Sequence, residues 1–463
     1  MVHYVECISP IDDSVYARRP VATWPEVERT FRQARDAQAG WRQTPLTDRA
    51  ALCGVAVEAM VSMTEEIVPE LAWQMGRPVR YGAGEVRGFE ERARHMISVA
   101  PEALADLRPR PIDGFVRYIR REPLGVVLTI APWNYPYLTA VNSIVPALLA
   151  GNTVILKHAA ATLIVAERFQ AAFDRAGLPD GVFQHLVLSH DQTAQAIGGG
   201  LADMVCFTGS VPAGRAIEEA AAGGFIHVGL ELGGKDPAYV RPDADLDHAI
   251  ANLVDGSFFN SGQSCCGIER IYVHRDVWQP FLDGFVDLAG QYVLGSPLDE
   301  ATTLGPMVRT SAAESVRRQI DAAVQAGAVA HLDPRAFPAD RPGSPYLAPQ
   351  VLTGVDHAMS VMTDESFGPV VGLMAVGDDN EAIRLMNDSC FGLTASVWTS
   401  DLEAAQSIGN DVTTGTVYMN RCDYLDPALA WTGVKDTGRG ATLSTVGFES
   451  LTRPKSFHLR TET

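Results

Sequence analysis

A chain of 463 residues exceeds what one hydrophobic core organises, so two or three structural units are expected. With 46% hydrophobic and 20% charged residues it has the composition of a folded protein, and a formal charge of −19 removes the counterion-release drive for non-specific nucleic-acid binding. Seven cysteines, an odd number with no CxxC pair, point to a reducing compartment without structural zinc. The opening MVHYVECISP lacks a basic segment followed by an apolar run. The most apolar stretch, residues 141–156, is broken by Pro146 and Gly151-Asn152. It also falls short of the roughly 20 residues a membrane helix needs. The expectation is a cytoplasmic protein with no membrane, nucleic-acid or metal partner.

From Trp24 to about Val99, apolar residues recur among charged ones at helical spacing. Ser62 to Glu65 has the form of a capping box, and Gly76-Arg77-Pro78 reads as a break. Residues 114–121, GFVRYIRR, alternate like a strand with one solvated face and are the candidate for an arm leaving the main body. Residues 125–130 (GVVLTI) read as a buried strand, followed by a proline-containing loop and a helix through Leu149. Strands are then expected at 152–156, 181–188 and 204–207, with helices at 164–176 and from Ala213. This alternation calls for βαβ units and a mostly parallel sheet. Past the Gly233-Gly234 pair, strands are expected at 236–240, 271–273, 371–375 and 394–397, and helices at 280–290 and 312–325. Residues 333–343 read as a surface loop, and 452–460 as a last strand able to pair with the arm of the same or a partner subunit.

Chemistry is first visible at Gly262-Gln263-Ser264-Cys265-Cys266, where small neighbours leave a sulfur approachable, although an isolated cysteine is more often a small buried hydrophobe. Glu231-Leu232-Gly233-Gly234-Lys235 places a carboxylate beside two flexible residues, a pattern shared with ordinary turns. Ala131-Pro132-Trp133-Asn134-Tyr135-Pro136 puts an amide at the end of an apolar strand, where parallel sheets place ligands.

Taken with FTGS at 207–210, FGP at 367–369 and GVKDTGRG at 433–440, the motifs APWNYP (131–136), ELGGK (231–235) and GQSC (262–265) resemble the aldehyde dehydrogenase superfamily over essentially the whole chain. The nearest wording is that of its bacterial succinate-semialdehyde dehydrogenase-like branch. The resemblance implies an α/β fold: a Rossmann-type nucleotide-binding domain (1–108 and 125–234), an α/β catalytic domain (235–436) and a small β oligomerisation arm (109–124 and 447–463). It implies Cys265 as nucleophile, with Cys266 as a non-attacking neighbour. Asn134 and the Cys265 N–H are the implied oxyanion donors, and Glu231 the base that hydrolyses a cysteinyl thioester.

For the cofactor, NAD or NADP, the resemblance implies Gly209, Ser210 and Gly214 at the pyrophosphate and Lys157 near the adenosine ribose. It further implies Glu365 at the nicotinamide ribose, and Trp133 and Phe367 lining the cofactor channel. Where NAD-selective members carry a ribose-binding Glu, this chain has Ala160, which neither binds the ribose hydroxyls nor repels a 2′-phosphate. NAD and NADP both stay open, and His158 is read as a packing residue. Tyr135, Thr139, Asn142, Tyr424 and Leu425 are expected to line the substrate channel. The wall is more polar than a fatty-aldehyde channel requires, and the branch resemblance implies a small or carboxylated aldehyde, succinate semialdehyde among the candidates; no arginine clamp for a distal carboxylate is visible, and an aromatic or short aliphatic aldehyde stays open. A CoA-acylating enzyme, a glyceraldehyde-3-phosphate enzyme and a non-enzymatic homologue are the alternatives. The family implies a homodimer or dimer of dimers.

Overall fold

The structure is a computed structural model describing residues 3–462; the expected segment ends at residues 1–2 and 463 lie outside the described residues. Four helices, Trp24–Trp41, Leu46–Val61, Thr64–Met75 and Val79–Ala103, occupy the first helical stretch. Ser62 is no N-cap: it ends the second helix and donates to the Ala59 carbonyl at 2.7 Å. With only Ser62 and Met63 between two helices, Glu65 already lies in the first turn of the next one, so the expected box cannot form. A true reciprocal box caps the helix His190–Gly198, where Gln192 N–H donates to Ser189 Oγ and Ser189 N–H to Gln192 Oε1, both at 3.1 Å. The expected break holds, because Gly76 closes the third helix in the left-handed conformation (φ 84°).

Two doubly wound sheets follow. The first runs, in spatial order, Gly438–Arg439, His227–Glu231, Met204–Thr208, Val126–Ala131, Thr153–His158 and Phe183–His185. Only the first of these is antiparallel. The strand expected over 181–188 shortens to three residues at the sheet edge. The apolar stretch 141–156 is the buried helix Pro136–Ala150 turning into the strand Thr153–His158 beside the sheet edge, and its apolarity serves the core. No helix among the described residues is long and apolar enough to cross a membrane.

The second sheet is ordered Val329–Ala330, Gln350–Thr353, Val370–Val376, Ile268–His274, Asp236–Val240, Thr394–Trp398 and Thr416–Met419, parallel apart from its first strand. Leu232 to Lys235 is the whole connection from the first sheet to the second. The C-terminal ends of the first sheet's strands therefore face the N-terminal ends of the second sheet's strands.

The arm is a two-stranded antiparallel ribbon of Phe115–Pro123 and Thr452–Arg460, in register from Phe115↔Arg460 to Pro123↔Thr452. The expected pairing thus forms within one chain. Sequence reading missed the N-terminal hairpin Tyr4–Ile8 with Val15–Pro20, whose Cys7 and Ala17 pack on Leu163.

Candidate active site

Three loops converge where the sheets meet. Asn134 follows the strand Val126–Ala131, Glu231 ends the strand His227–Glu231, and Cys265 precedes the strand Ile268–His274. The close approach of two loops explains the glycines. A Cβ on Gly234 would collide with the Cys265 carbonyl oxygen. Gly262 has φ +68°, and a Cβ there would collide with the Gly368 carbonyl of the FGP segment.

A buried ion pair between Arg77 and Glu85 ties the loops together. Glu85 also accepts the Tyr137 and Leu138 N–H groups at 3.0 and 3.1 Å, placing a carboxylate on the positive end of the helix Pro136–Ala150. Arg77 donates to the Asn134 carbonyl at 2.6 Å and to Asn260 Oδ1 at 3.3 Å, and stacks on the Tyr135 ring at 4.6 Å. Asn260 and Ser261 both hold left-handed backbone (φ 54° and 57°) ahead of the cysteine. The Asn134 amide donates one hydrogen to the Gln263 carbonyl at 3.1 Å, and an amide carries two. The Cys265 N–H has no protein acceptor among the described residues.

Cys265 is partly exposed on a cavity of about 360 Å³. Glu231, Tyr135, Thr139, Asn142, Tyr424 and Leu425 line the same cavity, so every expected channel residue meets there. Cys266 is buried and its thiol donates to Asp423 Oδ1 at 2.9 Å. Its hydrogen bond with Cys265, burial and the Asp423 charge all push its pKa up, holding it as the thiol. Burial raises Asp423 to about 7, against the hydrogen bonds from Cys266 and Ser264.

The two Glu231 oxygens accept from Thr208 Oγ1 at 3.0 Å and Thr442 Oγ1 at 2.6 Å. Burial raises its pKa, while Thr442, Thr208 and the Arg92 charge pull it down. The result is a carboxylate made more basic than usual and restrained by two hydroxyls.

The expected cofactor residues fall in separate hollows. Trp133 and Phe367 meet edge to face, with centroids 5.6 Å apart, in a hollow of about 330 Å³ shared with Gln263. Glu365 accepts the Gly234 N–H at 3.0 Å, and burial with the neighbouring Glu269 charge raises it to about 7. Gly209 and exposed Ser210 form the turn into the helix Val211–Ala221, with Gly214 buried in its first turn. Ser210 makes no side-chain cap bond, so its hydroxyl is free beside the helix N-terminus. Lys157 lines a cavity of about 220 Å³ with Ala160, Ser189 and His190. His158 is buried at the same cavity, where burial lowers it to about 4 and its ring bonds the Pro136 carbonyl at 3.2 Å, a packing role.

Sequence reasoning missed the charges around the site: buried Arg77, Glu85, Arg92 and the Lys235–Glu269 pair, and half-buried Asp423. Lys235 and Glu269 fasten the segment carrying Glu365 and Phe367, since Glu269 accepts the Ser366 and Phe367 N–H groups at 2.8 and 2.9 Å. Among the described residues, no cluster of His, Cys, Asp or Glu is arranged to hold a metal.

Parallel-sheet halves facing each other across a cysteine, a raised carboxylate and an uncapped helix turn have the layout of a nucleotide-dependent dehydrogenase. The Aldehyde dehydrogenase family model matches residues 2–457, and the chain belongs to that family. It is 33% identical over 437 residues to a succinate-semialdehyde dehydrogenase [NADP(+)] of Mycobacterium avium, covering 93% of this chain and 91% of that one. An NAD-dependent aldehyde dehydrogenase from Sinorhizobium meliloti superposes with a TM-score of 0.94 at 30% identity, covering 100% of this chain and 92% of the other. An NADP-dependent glyceraldehyde-3-phosphate dehydrogenase from Bacillus halodurans, complexed with NADP, superposes at 0.93 with 31% identity, covering 99% and 96%. The activity class is oxidation of an aldehyde to an acid with NAD or NADP.

Replacing Arg77 by Met leaves Glu85 buried without its counter-charge. Stability should fall by about 3–5 kcal/mol in chemical denaturation. An unchanged midpoint would show that the pair does not hold the loops.

Proposed function

We propose that the protein oxidises a small polar aldehyde, succinate semialdehyde or a close analogue, through a thioester on Cys265. The carrying observation is one cavity that presents the partly exposed Cys265 sulfur and the restrained Glu231 carboxylate together. Support for the substrate comes from the polar wall of Thr139 and Asn142 and from the relative's name.

In this reading the Cys265 thiolate, its proton passed to solvent, forms the S–C bond as the carbonyl π bond breaks, and the resulting oxyanion takes the free Cys265 N–H and the second Asn134 amide hydrogen. One such donor is worth roughly 3 kcal/mol in a comparable oxyanion hole. When bound, the oxidised nicotinamide supplies the hydride acceptor that turns the thiohemiacetal into the thioester. Glu231 then takes a proton from water attacking the thioester carbon, and the acid leaves as the Cys265 sulfur is freed. Cys266 stays outside the chemistry because Asp423 engages its thiol.

The cofactor's fit rests on the chain's own groups: the uncapped Ser210 turn for phosphates, Glu365 for a ribose and Trp133 with Phe367 for the ring. Lys157 beside Ala160 faces the adenosine end, with no carboxylate at position 160 to exclude a 2′-phosphate. We place the reaction in the cytoplasm, supported by seven unpaired cysteines. The exposed strand Thr452–Arg460, whose outer edge pairs with no other strand among the described residues, supports a homodimer or dimer of dimers.

An aldehyde panel assayed separately with NAD and NADP, with product identification, tests the proposal. Acid should form without CoA; acyl-CoA as the product would reassign the acceptor. Cys265→Ser should abolish turnover, whereas Cys266→Ser should keep a substantial part of it; the reverse pattern would reassign the nucleophile.

The pH dependence follows from Glu231, which is a base only above its pKa. The Thr442 hydroxyl stabilises the charged form, so Thr442→Val raises that pKa further. The acid limb of the kcat–pH profile should move up by about one pH unit, the worth of one hydrogen bond to a charged group. An unmoved limb would assign it to another group.

A further inference from the structure

We infer that Arg92 and Asn142 form a subsite for a carboxylate at the far end of the aldehyde, making the substrate a short ω-oxo carboxylate. This rests on the proposed aldehyde oxidation at Cys265 and adds the group that selects the substrate.

Arg92 belongs to the helix Val79–Ala103, is only 8% exposed, and lines the cavity that contains Cys265. A guanidinium carries five N–H donors and no acceptor. Its Nη1 donates to the Leu138 carbonyl at 2.6 Å and to Asn142 Oδ1 at 3.3 Å. Among the described residues, Nε and Nη2 have no acceptor and no carboxylate pairs with the charge. A buried cation without a counter-ion is costly.

The nearby carboxylates are each committed elsewhere. Glu85 is held by Arg77 and two helix amides. Glu231 is held by Thr208 and Thr442, and Asp423 by Cys266 and Ser264. Glu85 first, then Glu231 and the two cysteines, act on the Arg92 charge through space, yet none of them bonds it.

Asn142 completes the pair. It is 2% exposed and lines the same cavity from the helix Pro136–Ala150. Because Arg92 has only donors to offer, it fixes Asn142 Oδ1 toward itself, and Nδ2 is left buried with no partner. Two facing helices thus hold unspent donors, one charged and one neutral, on the wall of a cavity that contains the nucleophile. Such a set matches the two oxygens of a carboxylate. Exposed Arg87 at the same cavity adds positive charge toward an incoming anion, next to Glu91, whose carboxylate accepts the Tyr424 hydroxyl at 2.9 Å.

The test compares succinate semialdehyde with butanal, which has the same carbon chain and no charge, in the wild type, Arg92→Met and Asn142→Leu. The wild type should prefer succinate semialdehyde, and Arg92→Met should cut the ratio of the two kcat/KM values about 100-fold, as expected for a buried charge pair. Asn142→Leu should cut it less. A ratio that Arg92→Met leaves unchanged overturns the proposal, because Arg92 then serves both substrates alike or neither. Preference for glyceraldehyde 3-phosphate over succinate semialdehyde overturns the carboxylate assignment. Calorimetric titration of the wild type with succinate, without aldehyde oxidation, gives an independent reading: binding should be measurable and lost in Arg92→Met. If neither aldehyde is oxidised, the proposed function fails, while the titration still decides the subsite.

Discussion

The buried Arg77–Glu85 ion pair is the constraint on which the site depends. Neither residue lies in a family motif, yet together they cap the helix Pro136–Ala150, grip the Asn134 carbonyl and hold Asn260 ahead of the cysteine. Two segments far apart in sequence, 134–138 and the loop ahead of Cys265, are fixed to residues 77–85 by one guanidinium and one carboxylate. A lone buried charge in that position would be strongly destabilising, so the pair acts as a unit. The Lys235–Glu269 pair does the same for the segment that carries Glu365 and Phe367.

Electrostatic differentiation follows from burial. Glu231, Glu365 and Asp423 are all carboxylates shifted upward by desolvation, yet each has a different set of donors. Glu231 has two hydroxyls, Glu365 a backbone N–H, and Asp423 a thiol and a hydroxyl. Adjacent cysteines are separated in the same way: Cys265 faces the cavity, while Cys266 is buried against Asp423. On the proposed reaction, these environments divide nucleophile, base and bystander among residues that are chemically alike.

The parts of this arrangement legible in the sequence are those that break a strong local pattern. Glu231 ends a strand while Asn134 and Ser210 sit just past the ends of apolar ones, and the glycines beside Glu231 and Cys265 mark backbones in contact, as collisions at Gly234 and Gly262 show. The ribbon strand read at 114–121 was legible because apolar and charged residues alternate along a solvated strand. Arg77, Glu85 and Arg92 were not: Arg77 stood only as part of a break and the other two as charged residues of a helical stretch, and it is packing of the helix Val79–Ala103 against the helix Pro136–Ala150 that buries Glu85 and Arg92. Short strands such as Gln350–Thr353 and Thr416–Met419 have too few residues for a period and exist through their neighbours in the sheet. The capping box placed at Ser62 failed for a related reason, since sequence spacing does not show where one helix stops.

The central claim is that one particular sulfur carries the substrate's acyl group. Glu231→Gln, incubated with succinate semialdehyde and NAD or NADP, then denatured, digested and examined by mass spectrometry, reads this directly. The account predicts an added acyl mass on the Cys265 side chain, accumulating because its hydrolysis is slowed. An acyl group on Cys266, or acid released at the wild-type rate with no adduct, would contradict it.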